Sequence, residues 1–489
     1  MTATSLAFDS STWANYTEEA QPGKACGELY RGNPGFTIFP GKLCQCGPLA
    51  SFFSWTLLLT HDSQDPAHLS PLLPLSPSPP LALPGRLKRS QRFYNLFAQP
   101  AQHRITVSIM ASPPINVGLI GYGGSAKSFN LPFILPNPDL RVCAFLQRAA
   151  APDPASSPHP PVGTHCTIDF PSATHHRTAE AFFGDDEIEL VVICTHEHGE
   201  LVRRALESGK HVVVEKAFVN TSKEADDLIQ LAREKGKVLT VYQNRRFDSD
   251  FLTLQHIVKS GALGEIRDAQ MHFDFRMPSW VMGWTQKEYA SGQGMTFGLG
   301  SHTVDQALVL FGRPVSVTGF LRSNRGVDSE VDDTFTIILQ YGSEQKNLTV
   351  TVKTAIVTHM KDNLKFFVRG TEGTYLKFGT DPQEAKALAA PCQPASDPDY
   401  GREDERIWGT LSTMKEFDTK SQTFDKESGL YIGRYPSMLG RYRGLYENVV
   451  AAIRGTAELY VKPETSRDGL RILELARESH NTGHTVPWS

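Results

Sequence analysis

The chain has 489 residues, of which 40% are hydrophobic and 21% charged, with a net charge of −4. That balance fits a globular protein of two domains with an appendage. It offers no basic surplus for nucleic acid or an anionic membrane surface, so neither is expected as a partner.

Residues 1–112 read differently from the rest. Leu69 to Pro84 is dense in Pro, Ser and Leu, which excludes a regular helix and favours extended backbone. The apolar run Leu49 to Leu59 is too short to span a bilayer. It lies too far in, without a basic region before it, to be a secretory signal. Asp9, Glu18 and Glu19 argue against a mitochondrial presequence, and Arg86, Lys88, Arg89 and Arg92 read as solvated linker charges. Met110-Ala-Ser-Pro-Pro114 stands just before the first apolar strand, so translation is expected to begin at Met110, or the leader to be disordered.

Ile115-Asn-Val-Gly-Leu-Ile120 is that strand, and Gly121-Tyr122-Gly123-Gly124-Ser125-Ala126 follows it. The spacing is G-x-G-x-x-A. Gly121 makes the tight turn, Gly123 admits a pyrophosphate close to the backbone, and Ala126 lets the new helix pack closely on the strand. The amides at the helix start then face phosphate, where the dipole favours negative charge. The helix is predicted to stop near Pro136.

Leu140–Leu146 is the second strand, ending at Gln147-Arg148 with no acidic residue before Asp153. An acid there would select NAD through the ribose hydroxyls, whereas an arginine accepts the 2′-phosphate. NADP is therefore the expected cofactor, ahead of NAD. Ala149 to Pro161 reads as a proline-rich insertion. Leu190–Cys194 is a strand covered on both faces, followed by Thr195-His196-Glu197-His198 at the ligand-binding edge. Extended chain sends the two histidines to opposite sides, so no metal is expected.

Leu201 to Ser208 is helical, capped by Gly209. His211–Glu215 is the next strand and ends at Lys216. A lysine at that edge is placed to hold a substrate hydroxyl or carbonyl, and desolvation lowers its pKa toward a role in proton transfer. Thr221 to Lys235 is an amphipathic helix. Val238–Tyr242 is a further strand leading into Gln243 and Arg246.

Leu254 to Lys259 reads as a helix and Arg267 to Phe275 as a strand, ending near Arg276 and Trp280. Thr303 to Phe311 has helical spacing. That puts His302 at a helix start, where the positive dipole end lowers its pKa. Strands then dominate: Val315–Leu321, Thr334–Tyr341, Leu348–Thr354, Leu364–Arg369 and Gly373–Phe378. Such a run predicts a mostly antiparallel sheet with one face free. Glu384 to Gly409 reads as a polar surface excursion, and Leu445 to Ile453 and Gly469 to Arg477 as closing helices. The seven cysteines are odd in number and form no paired C-x-x-C, so a zinc site or disulfide framework is not expected and the reducing cytoplasm is.

Taken together, Gly121–Ala126, Glu215-Lys216, Gly300-Ser301-His302 and the closing Thr482-Gly-His-Thr-Val-Pro-Trp488 resemble the Gfo/Idh/MocA family of NAD(P)-dependent oxidoreductases, from about Ile115 to Trp488. Gln243-Asn-Arg-Arg-Phe-Asp-Ser-Asp-Phe-Leu252 is similar to the branch with NADP-dependent scyllo-inositol dehydrogenases. The resemblance implies an N-terminal Rossmann domain (113–245) followed by an α/β domain with a large open, mostly antiparallel sheet (246–489). It also implies hydride transfer between nicotinamide and a sugar, polyol or related carbinol, and a homodimer or homotetramer. Carried over by motif, Lys216 and His302 are the catalytic pair. Expected cofactor contacts are Gly121, Tyr122, Gly123, Gly124, Ser125, Ala126, Gln147, Arg148, Thr195, His196, Glu215, Lys216 and Gln243. Expected substrate contacts are Lys216, Arg246, Arg276, His302 and Asp305.

Two departures stand out. The family's Glu-Lys-Pro is Glu215-Lys216-Ala217 here, and the aspartate four residues before the catalytic histidine is replaced by Gly298. A base histidine works best with a partner that fixes its tautomer. Asp305, three residues after His302, is a candidate substitute. An NAD(P)-binding regulator that has lost catalysis therefore stays open as an alternative, as does a reductase of the biliverdin type acting on a non-sugar carbonyl.

Overall fold

The computed structural model describes residues 112–489 except 154, 156–158 and 390–393. The expectations for the leader, and Cys26, Cys44, Cys46 and Cys392, lie outside the described residues.

Six parallel strands form the first sheet: β1 (Ile115–Ile120), β2 (Leu140–Leu146), β3 (Thr174–His176), β4 (Leu190–Ile193), β5 (His211–Val214) and β6 (Leu239–Val241). Their order is β3-β2-β1-β4-β5-β6, the doubly wound arrangement that places a ligand crevice outside the carboxyl ends of β1 and β4. Every residue of β4 is buried, as a strand covered on both faces requires. β3 is short and carries Thr-His-His, too polar for the pattern to show it. Gly121 takes a positive φ of 91°, a region that L side chains avoid. The helix it introduces opens as a π-helical turn, Ser125–Asn130, and continues as Leu131–Ile134.

Ten strands form the second sheet: β7 (Ile266–His272), β8 (Ser316–Arg322), β9 (Thr334–Gln340), β10 (Thr349–Thr354), β11 (Leu364–Gly370), β12 (Gly373–Phe378), β13 (Thr410–Thr413), β14 (Thr423–Asp425), β15 (Leu430–Arg434) and β16 (Val486–Pro487). The order is β14-β15-β13-β12-β11-β7-β10-β9-β8-β16. Only the β10–β7 pairing is parallel. Alternating burial along β8, β9 and β10 leaves one face on the core and one outward. The helices Ser249–Lys259, Ser301–Phe311 and Pro463–Thr482 contribute Phe251, Val304 and Ile472 to the covered face, where they join Ile337, Val350 and Phe366 in one apolar core.

One expectation fails in part. The stretch Glu384 to Gly409 is a surface excursion only in part: Pro394, Ser396 to Asp399, Arg402 and Asp404 to Arg406 are exposed, but its start and several later residues are packed inside. The helix Gln383–Ala389 starts it, and Ala387 and Ala395 are buried in the cluster around Phe133, Tyr442 and Tyr446. The Ala395 amide donates to the Pro132 carbonyl at 2.7 Å, and Glu403 pairs with Lys377 with both side chains fully buried. Other charged residues of the stretch, among them the Arg402–Asp399 and Arg406–Asp404 pairs, face solvent.

Candidate active site

The glycine turn and β5 are bonded to each other. Glu215, at the end of β5, accepts hydrogen bonds from Ser125 Oγ (2.6 Å) and Asn130 Nδ2 (2.9 Å). Tyr446 in turn holds Asn130 through its hydroxyl. No side chain caps the π-helical turn at Gly124, and its first turn carries no acid. A Cβ built on Gly123 or Gly124 would meet nothing within 4 Å. Free amides, a positive dipole end and open space above the backbone fit a dinucleotide pyrophosphate.

Several expected cofactor contacts are turned elsewhere. Tyr122 is buried, its hydroxyl donates to Asp169 and its ring packs edge-on against Phe145 and Phe170, so only its backbone faces the turn. Gln147 accepts the Cys166 amide through Oε1 (3.0 Å), which ties it to the loop beyond β2. Gln243 is buried and donates to the Ser301 carbonyl at 3.3 Å. The Thr195 carbonyl accepts from His198 Nε2 (2.6 Å), and Thr195 Cγ2 would stand 3.0 Å from a Cβ on Gly121. His196 is exposed, whereas both ring nitrogens of His198 face carbonyls.

Arg148 is exposed at the end of β2 with no partner for its guanidinium among the described residues. Beside it stands Arg177, whose Nε donates to the Arg148 carbonyl at 3.3 Å. Sequence reasoning missed Arg177 because only the β2–β3 pairing brings it to the adenosine end. His165, Cys166 and His175 also meet there, with potential ligand atoms within 4.8 Å of one another. His175 already bonds the Gln147 carbonyl (2.9 Å), His165 bonds Thr167 (2.9 Å), and burial pushes the Cys166 thiol up to about 11. The trio thus serves to hold the loop.

At the other end of the crevice Lys216 and His302 converge. Lys216 Nζ donates to the Gly298 carbonyl at 2.8 Å, one turn before His302 in the same continuous helix. Desolvation lowers the Lys216 pKa, opposed by the charge of Glu215. His302 is buried and held well below the usual imidazole range, first by burial and then by the charges of Lys216, Arg245 and Lys365. The expected direction holds, but its cause does not. A π-helical stretch, Thr296–Gly300, runs into Ser301–Phe311 without a break, so His302 is not at the helix start.

Asp305 does not substitute for the absent aspartate. Its two oxygens accept Arg246 Nε and Nη2, both at 2.7 Å, and each side chain is at most 3% exposed. Arg246 also donates to the Tyr460 carbonyl (3.0 Å). The two form a closed internal pair that leaves neither free for substrate, and His302 Nδ1 has no hydrogen-bond partner among the described residues. Arg276 is exposed beyond β7, its backbone bridged to Val357. Arg245 and Lys365, not singled out from the sequence, are the buried cations that act on His302.

Residues 115–243 match the family model described as "Oxidoreductase family, NAD-binding Rossmann fold", and residues 251–376 match the "GFO/IDH/MocA C-terminal domain". An oxidoreductase of Schizosaccharomyces pombe is 34% identical over 76% of this chain and 99% of its own. The scyllo-inositol 2-dehydrogenase (NADP(+)) IolW of Bacillus subtilis is 31% identical over 76% of this chain and 95% of its own. Among solved structures, the oxidoreductase YvaA of Bacillus subtilis superposes with a TM-score of 0.66 at 27% identity, covering 77% of this chain and 99% of that one.

Proposed function

The chain belongs to the Gfo/Idh/MocA family of oxidoreductases, and from that premise we propose that it transfers a hydride between NADP and a carbinol of a sugar or inositol-like polyol. The nicotinamide supplies the hydride acceptor or donor at C4. Gly121, Gly123 and Gly124 cradle the pyrophosphate, and Arg148 with Arg177 takes the 2′-phosphate. Lys216 donates to the substrate oxygen, and His302, neutral and with Nδ1 unpartnered, takes its proton during oxidation and returns it during reduction. Positioning and charge are what the protein supplies.

The observation that carries this reading is the Lys216–Gly298 contact, which brings an ammonium to the helix that bears the imidazole, at the carboxyl edge of a dinucleotide sheet. Relatives named for scyllo-inositol, levoglucosan and a D-glucoside support the substrate class. A cytoplasmic site fits the unpaired cysteines among the described residues, Cys143, Cys166 and Cys194, and the outward face of the second sheet suits pairing of two or four copies.

The test is turnover of inositols, aldoses and sugar lactones with NADP and NAD, beside Lys216→Ala and His302→Ala. Activity that vanishes in both variants supports the enzyme. Tight cofactor binding without turnover on any substrate supports instead a regulator, the reading that Gly298 and the unpartnered His302 nitrogen favour.

A further inference from the structure

The interior near His302 holds charges that lack hydrogen-bond partners among the described residues. Lys365 is 1% exposed and Asp250 0%. The Lys365 ammonium and both Asp250 carboxylate oxygens lack hydrogen-bond partners among the described residues. Buried polar groups are almost always bonded, so two opposite charges left without hydrogen bonds in one core are informative.

The fold aims them at one place. The β11–β12 register shifts between Leu364 and Phe366, which makes Lys365 the residue of a bulge. A bulge turns a side chain off its alternating face, and Lys365 and Phe366 are both buried as a result. Lys365 Nζ stands 4.7 Å from the Phe273 ring centre, and the Arg245 guanidinium stands 4.5 Å from the same centre. Phe251, next to Asp250, meets the Phe366 ring at 6.4 Å, which draws the helix Ser249–Lys259 onto β11. Of the charges that act on Lys365, that of Asp250 is the strongest, and Lys365 acts in turn on His302.

A pair meant only to stabilise the core would close on itself, as Arg246 and Asp305 do. This one leaves an ammonium that must donate and a carboxylate that must accept. A hydroxyl does both, and two adjacent hydroxyls satisfy both groups at once. An anionic substrate would meet Asp250 with like charge. We propose that Lys365 and Asp250 form a subsite for neighbouring hydroxyls of a neutral polyol substrate, away from the carbon that reacts at Lys216 and His302. The proposal rests on the polyol reading and adds which groups select the substrate.

Saturation-transfer NMR of the full chain with NADP+, probed with scyllo-inositol, myo-inositol and D-glucose, tests it. Wild type and His302→Ala are expected to bind at least one probe. Lys365→Met and Asp250→Asn are expected to lose that signal, with NADPH affinity unchanged by fluorescence. Lys365→Arg keeps the charge but is bulkier than lysine at a buried position, so it weakens probe binding without unfolding and decides the case if Lys365→Met fails to bind NADPH. In turnover, Lys365→Met raises KM at least about tenfold. Probe binding and KM untouched by all three variants overturn the subsite and leave the enzyme standing. Probe binding without turnover in wild type overturns the enzyme and leaves the subsite. No probe bound by wild type overturns both.

Discussion

Lys216 reaches a backbone carbonyl, that of Gly298, at the position where the family's motif places an aspartate. The lysine is therefore positioned by the main chain whatever side chain residue 298 bears. Lys216→Met, which keeps the length of the side chain but not the charge, is expected to lower kcat about 10²- to 10⁴-fold, as expected of a group that assists proton transfer. NADPH affinity should stay within about twofold, since Glu215 and not Lys216 is tied to the phosphate-binding turn. Stopped-flow turnover and a fluorescence titration measure the two separately. An unchanged kcat would remove Lys216 from the chemistry.

Gly298→Asp should be tolerated and should favour catalysis. A Cβ there meets nothing within 4 Å, and the residue shows no positive φ that would strain an L side chain. A carboxylate one turn before His302 raises the pKa of both His302 and Lys216 and stabilises the imidazolium that forms during oxidation. The expected gain in kcat is about tenfold, with the acid limb of the pH–rate profile moved upward. If the wild type is inactive, turnover that emerges in this variant identifies a protein that lost catalysis through one substitution.

Much of this was legible in residues that act through backbone or period. Gly121 signals its positive φ, β4 reads as a continuous apolar run, and Glu215-Lys216 ends a strand whose partners are strands of the same kind. Long-range choices were not legible. Asp305 sits three residues from His302 on the same helix, so spacing alone offers it as a partner. Arg246 claims it across 59 residues, and a fork that fits both oxygens outcompetes a ring nitrogen. Lys365 was invisible because strand alternation hides a bulge, and Arg177 because β3 is only three residues of polar sequence.

Stability should fall with acid. The folded-state pKa of His302 lies well below 6.5, so near and below that value the unfolded chain binds a proton that the folded chain does not. The neutral imidazole's contribution is therefore complete above about pH 6.5 and is lost as pH drops toward the folded value, at up to about 1.4 kcal/mol per unit. His198 shifts in the same direction. Urea unfolding from pH 7.5 to 5 should show the decline, and His302→Gln should flatten it without abolishing it. An identical slope in the variant would show that His302 is protonated in the folded protein.

Cofactor choice should depend on the two arginines at the adenosine end. Arg148→Ala and Arg177→Ala are each expected to weaken NADPH about 10- to 100-fold, the usual worth of a charged hydrogen bond, and to leave NADH within about threefold. Fluorescence titrations with both cofactors give the ratio directly. Equal losses for NADPH and NADH would mean that these side chains hold the nucleotide generally and do not read the phosphate.

The Arg246–Asp305 pair should matter to folding and not to substrate. Both side chains are nearly solvent-free and the fork is bidentate. Removing one partner strands the other charge in the interior, at a cost of about 3–5 kcal/mol. Asp305→Ala is thus expected to lower the urea midpoint sharply, while KM for any polyol stays within about twofold in the fraction that remains folded. Replacing both residues with apolar ones of similar size, Arg246→Met with Asp305→Leu, should recover most of the loss, because an apolar pair incurs no desolvation penalty. The double variant separates the two roles: recovered stability with unaltered KM places the pair in the scaffold, whereas recovered stability with KM raised at least tenfold would return one of them to the substrate.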